Sequence, residues 1–193
     1  MPPAKPQFEH WFDPKRLFAE GYPKGVTSAL KVFPDLAFEI QRIIVGINPR
    51  RALEVGPGDR PVIGSVRGAF YLDVVPRFLA ALEGKKVLGD AREVPFRPGS
   101  FDLVVASDLF THIPPKERTL ALEELLSLAP RILIFNPAEG TKEVLASPVP
   151  TADLVAMLED EGLEVERRDF AARLPTGVYS MALLYGEKKK AGK

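Results

Sequence analysis

Cysteine is absent from this 193-residue chain, which excludes disulfides, thiolate nucleophiles and cysteine-held metal sites and suits a reducing compartment. Histidine is nearly as scarce. Only His10 and His112 occur, too few for a histidine-rich metal centre, so no metal is expected. Neither sign of charge predominates, with 26 basic against 26 acidic residues, so no global field marks a nucleic acid or a membrane surface as partner. No apolar run is long enough to span a bilayer, and the amino-terminal stretch around Pro2, Pro3 and Lys5 lacks the apolar core of a secretion signal. A cytoplasmic protein is therefore expected.

The length suits a single domain with a sheet buried between helix layers. We expect a helical cap over residues 1–48, a core over 49–186 and a solvated basic tail over 187–193. The organising stretch is Ala52-Leu53-Glu54-Val55-Gly56-Pro57-Gly58, a short apolar strand that runs straight into a bend poor in side chains. Glycines there let the main chain approach a bulky, nucleotide-like ligand without an intervening β-carbon. The same residues also suit an ordinary loop. A dinucleotide fingerprint needs a third glycine that opens a helix, and here Pro61 stands at that position, which counts against an NAD site.

Further along, acids recur just past strands. Ala69 to Leu72 reads as a strand ended by Asp73, Lys86 to Leu88 as one followed by Asp90, and Phe101 to Ala106 as a buried strand followed by Ser107 and Asp108. A carboxylate at a strand tip can accept both hydroxyls of a ribose, or it can cap the next helix, and Asp73 suits either role. Helices are expected at Pro34 to Ile47, Pro61 to Arg67, Pro76 to Leu82, Pro115 to Ala129 and from Thr151 to Gly162. In the fourth of these, Leu122, Leu125 and Leu126 face inward and Glu117, Arg118, Glu123 and Glu124 face water. Strands Arg131 to Phe135, Leu163 to Arg168 and Val178 to Tyr185 complete the set. Strand and helix alternate, so the expected fold is a Rossmann-like, doubly wound α/β/α sandwich with a mostly parallel seven-stranded sheet whose last two strands form an antiparallel pair.

Taken in order, these segments resemble the motifs of the class I S-adenosylmethionine-dependent methyltransferases. Leu53 to Gly58 looks like the first, Tyr71 to Pro76 the second, Gly89 to Phe96 the third and Ser100 to Asp108 the fourth, and the wording is similar to the ubiquinone and menaquinone methyltransferase group. The resemblance implies S-adenosylmethionine as cofactor and gives each residue a role. Gly56 and Gly58 would pass beneath its methionine part and Glu54 would order the amino group. Asp73 would hold the ribose hydroxyls, and Val74, Asp90 and Ala91 would meet the adenine. Ser107 and Asp108 would lie near the reacting methyl group. Arg60 departs from the family's third glycine.

Methyl transfer needs donor and acceptor held in line and shielded from water, with a general base where the acceptor carries a proton. Asp108 and His112 are the candidates for that base, although a histidine before a helix can equally serve as a cap. Ser107-Asp108-Leu109-Phe110 lacks the pattern found in base-amino methyltransferases, so the acceptor is expected to be a small molecule, walled by residues 8–30, the 137–150 loop and an Ala171 to Gly177 loop. Two other functions suit the residues: a methyltransferase-like binding or regulatory domain without turnover, and an NAD-dependent oxidoreductase.

Overall fold

A computed structural model describes residues 29–58, 60–138, 149–174 and 177–189. The chain enters this frame through two helices, α1 (Ala29–Val32) and α2 (Pro34–Ile47). Pro34 suits the first turn of α2, where its missing N–H costs no hydrogen bond. The helix ends as Asn48 turns left-handed (φ 49°) and its amide returns to the Ile44 carbonyl at 2.9 Å.

The sheet is built from β1 (Ala52–Val55), β2 (Ala69–Asp73), β3 (Lys85–Leu88), β4 (Leu103–Ser107), β5 (Arg131–Pro137), β6 (Leu163–Leu174) and β7 (Gly177–Lys188). Its order is β3-β2-β1-β4-β5-β7-β6, with every pair parallel except β5–β7 and β7–β6. Side chains alternate between two cores. Ala52, Tyr71, Leu103, Val105, Leu133 and Leu183 pack with Leu36, Ile40 and Ile44 of α2 and with Leu79 of α3 (Pro76–Ala80). Leu53, Leu72, Val104, Ile132 and Ile134 pack with Leu122 and Leu125 of α4 (Arg118–Leu128) and with Leu154 and Leu158 of α5 (Thr151–Asp160). Because both faces are covered, the central strands read as continuous apolar runs, and the three-layer Rossmann-like expectation holds.

At the amino edge, Asp102 accepts hydrogen bonds from the Arg50 and Arg51 amides at 2.8 and 2.9 Å, tying the start of β1 to β4. The Arg51 guanidinium lies over the rings of Phe70 and Phe101, and these rings meet Phe96 edge-to-face.

Several sequence expectations need correction. Pro61 to Arg67 forms a run of turns, not a helix, and among the described residues the connections β1–β2 and β3–β4 contain no helix. Glu54 takes the Val62 and Ile63 amides, Gly64 and Gly68 weaken helix formation after them, and at Gly68 a β-carbon would lie 2.1 Å from the Arg50 carbonyl oxygen. The expected Ala171 to Gly177 loop is mostly strand, because β6 and β7 stay paired out to Leu174 opposite Gly177. Residues Pro115 to Glu117 form a short 3-10 turn ahead of α4. Arg118, placed on the wet face by its helical spacing, is 7% exposed. The aromatic segment Trp11 to Tyr22, most of the 137–150 loop and the last four residues of the basic tail lie outside the described residues.

Candidate cofactor and active site at the carboxyl edge

Parallel register brings the expected residues to one edge. Val55 pairs with Leu72 and Ala106, and Asp73 pairs with Leu88, so Gly56, Asp73, Gly89 and Ser107 stand side by side at neighbouring strand tips. At about 4.8 Å between strands, the tips of β3, β2, β1 and β4 span about 14 Å, a width suited to a nucleoside with a short chain attached. The edge lies where the strand order reverses, between β1 and β4, which is where ligands of open α/β sheets gather.

Gly56 and Gly58 both take left-handed conformations, at φ 69° and 56°, so any other residue there would be strained. A β-carbon on Gly56 would also press to 3.3 Å from the Ser107 carbonyl oxygen. The bend is therefore closed to side chains and presents backbone.

Glu54 is fully buried, and the protein itself engages both of its oxygens. Oε2 accepts from the Val62 and Ile63 amides at 2.8 and 3.2 Å, and Oε1 accepts from the Ser107 hydroxyl at 2.7 Å. Burial raises its carboxyl to about 7, against the opposing pull of these three donors. The amides after the glycine bend thus face Glu54.

Asp73 is 6% exposed, and its Oδ1 accepts from the Val75 amide at 2.8 Å. Val75 sits at the start of α3, so the local turn role open to Asp73 is realised. Burial raises its carboxyl above the usual range, while the Val75 and Gly58 amides, the charge of His112 and the Val74 amide pull it back. Because the Gly58 amide meets this acid, the glycine bend and the β2 tip form one unit. Next to it, Val74 leaves 39% of its surface exposed, an apolar surface at the edge.

Asp90 is differently held. Arg92 wraps it, donating from its backbone amide and Nε to Oδ1 and from Nη2 to Oδ2, and the fork holds the carboxyl below its usual range. Arg92 also pairs with Glu117 across the edge. Ala91 between them is buried.

Past β4, Asp108 adopts a left-handed φ of 48°, unusual away from glycine, and its Oδ1 accepts from Thr111 at 2.8 Å. Burial raises its carboxyl, while the charge of His112 and the Thr111 hydrogen bond act against that. His112 thus lies within electrostatic reach of both Asp73 and Asp108.

Arg118 escaped the sequence reading. Its Nε donates to the carbonyls of Phe110 and Ile113 at 3.0 and 3.1 Å, pinning the loop that carries His112, and burial lowers its pKa while Asp153 opposes that. Helical periodicity held no sign of this, because the acceptors lie outside the helix. Asn136, at the end of β5, also went unread; its neighbour Pro137 marked only a loop.

Comparison with known proteins bears on this edge directly. Residues 53–129 match the sequence model of a family described as a methyltransferase domain. That methyltransferase-like segment contains the Gly56–Gly58 bend, Asp73, Asp90, Asp108 and His112. No curated protein matches the chain. Among solved structures, the YcgJ protein of Bacillus subtilis superposes with a TM-score of 0.63 at 12% identity, covering 80% of this chain and 99% of its own. Magnesium protoporphyrin IX methyltransferase of Synechocystis PCC 6803, solved with bound S-adenosylmethionine, gives 0.61 at 15% identity over 94% of this chain and 93% of its own. The [4+2]-cyclase SpnF gives 0.67 at 14% identity over 88% and 86%. These likenesses establish the fold. Among the described residues no helix is long and apolar enough to cross a membrane.

Proposed function

We propose that the chain is an S-adenosylmethionine-dependent methyltransferase acting on a small-molecule acceptor. The observation that carries this reading is the joined unit of Gly56, Gly58 and buried Asp73 at the sheet's switch point, inside the segment that matches a methyltransferase domain. The donor set fits the cofactor. A side-chain-free bend accommodates the methionine chain, a carboxylate with about four lone-pair sites has capacity left for ribose hydroxyls beyond its amide bonds, and exposed Val74 offers an apolar face to adenine. The Ala91 amide and the Asp90 carboxylate, the latter shared with Arg92, would meet the adenine edge.

When bound, S-adenosylmethionine supplies a methyl group on a positively charged sulfur, which leaves with the bonding electron pair as a neutral thioether while the acceptor atom bonds the methyl carbon. The protein's part is placement. Glu54 braces Ser107 and the Val62–Ile63 turn, and so orders the floor against which the cofactor's ammonium would lie. Asp108, whose carboxyl burial already makes a better proton acceptor, takes the proton that the acceptor loses, and His112 tunes that carboxylate by its charge.

Titration calorimetry tests this reading with S-adenosylhomocysteine and NAD as ligands. We expect micromolar binding of the sulfur ligand, silence with NAD, and a loss of about 100-fold or more in Asp73→Ala, as for two charged hydrogen bonds. Tight NAD binding without a response to S-adenosylhomocysteine would reverse the assignment. A second reading, a cofactor-binding domain without turnover, draws on Arg92 holding Asp90 and on the Val62 and Ile63 amides turned away to Glu54. SpnF, a cyclase, illustrates that this fold hosts other chemistry. Binding of S-adenosylhomocysteine with no methylation across a broad acceptor panel would favour the second reading.

A further inference from the structure

Asn136 stands at the carboxyl end of β5, is 2% exposed, and has no hydrogen-bond partner for either its amide nitrogen or its carbonyl oxygen among the described residues. An orphaned buried amide weakens the fold that carries it, so its presence needs an account, and a bound ligand supplies one. Alternation along β5 sets it on the same face as Ile132 and Ile134, the face covered by α4 and α5. Its neighbours leave it unserved. On one side Asp108 stands at the β4 tip, its amide bonded to the Phe135 carbonyl at 2.9 Å, and on the other Ala182 of β7 offers only a methyl group. The strand end that carries the orphan amide is therefore hydrogen-bonded, through Phe135, to the residue to which proton removal is assigned above.

We propose that Asn136 recognises the methyl acceptor, and that the acceptor presents an amide-like edge, an N–H beside a carbonyl oxygen. This rests on the methyltransferase reading. A carboxamide carries two donors and an acceptor in one plane, and the partner that satisfies both ends is another amide or a lactam, through two antiparallel hydrogen bonds. A carboxylate leaves the Asn136 oxygen facing negative charge, and a hydrocarbon leaves both ends bare. A site built to bond such an edge rejects analogues that lack it far more strongly than an apolar pocket rejects a missing methyl group.

The test uses benzamide, benzoate and toluene as probes, titrated by ligand-observed NMR into the full chain with and without S-adenosylhomocysteine. Benzamide is expected to bind about tenfold or more tightly than benzoate or toluene, and Asn136→Leu is expected to lose that preference while its affinity for S-adenosylhomocysteine and its thermal midpoint hold or rise. Equal benzamide binding in wild type and N136L, or none in either, overturns the proposal. So does a lower midpoint or an unfolded N136L, the mark of an amide that serves the fold. Benzamide binding through Asn136 without a response to S-adenosylhomocysteine keeps the amide site and sinks the methyl-transfer reading. The converse result sinks the amide site alone.

Discussion

Glu54, Asp73 and Asp90 look alike in the sequence, three acids at or just past three strand ends, but their surroundings give them different work. Glu54 is buried with hydrogen-bond donors and, among the described residues, no paired cation, and its carboxyl rises to about 7 from 4.5. Between those values the folded state holds a proton that the unfolded chain has released, so stability is greatest below pH 4.5 and falls as pH rises through 7. The loss is about 3 kcal/mol. Glu54→Gln keeps an oxygen for the Val62 and Ile63 amides and removes the titration, so its unfolding free energy should change less between pH 5 and pH 8 than the wild type's. The raised carboxyls of Asp73 and Asp108 act in the same direction but are common to both proteins. Denaturant titrations at the two pH values measure the difference, and an equal change in unfolding free energy for the two proteins would show that Glu54 does not carry it. Sequence spacing located all three acids. It could not assign their partners, because those come from loop conformation: the turn that aims two amides at Glu54, and an arginine two residues beyond Asp90 that folds back on it.

At the scale of elements, β1, β2, β4 and β5 were legible to within about two residues, since strands buried on both faces leave unbroken apolar runs. The connections were less legible. Pro61 begins a stretch that looks like a helix start, yet Glu54 captures its first amides and Gly64 and Gly68 interrupt the turns after them, so tertiary hydrogen bonding outweighs a weak local preference. Arg118 shows the same competition from the other side, since a residue with a solvent-facing helical phase is drawn inward by the carbonyls of Phe110 and Ile113. Arg118→Met retains much of the apolar stem and removes the donors, and should cost about 1–3 kcal/mol. The loosening should be local. Amide exchange at Ile113, whose N–H bonds the Phe110 carbonyl, should accelerate more than exchange at Ile40 in α2. Uniform acceleration across both would assign Arg118 to global stability and not to holding the His112 loop.

For the whole molecule, the proposed ligand edge draws on four neighbouring strands, and the innermost of them, β1 and β4, also carry both hydrophobic cores. A ligand gripping their tips is therefore coupled to the unfolding of the sheet itself. At 100 times its dissociation constant, a ligand that binds only the folded state adds about 2.7 kcal/mol, roughly a 100-fold drop in the unfolded population. If unfolding is cooperative, amides deep in β1 and β4, such as those of Leu53 and Val104, should slow by that same factor on adding S-adenosylhomocysteine, although neither residue is expected to touch it. Slowing confined to Gly56, Gly58 and Val75 would instead mean that the ligand orders the tips locally and that the central strands open independently of them. Native-state hydrogen exchange with and without ligand distinguishes the two, and the cooperative outcome is the one expected of a sheet whose ligand-facing ends and core-facing middles lie on the same short strands.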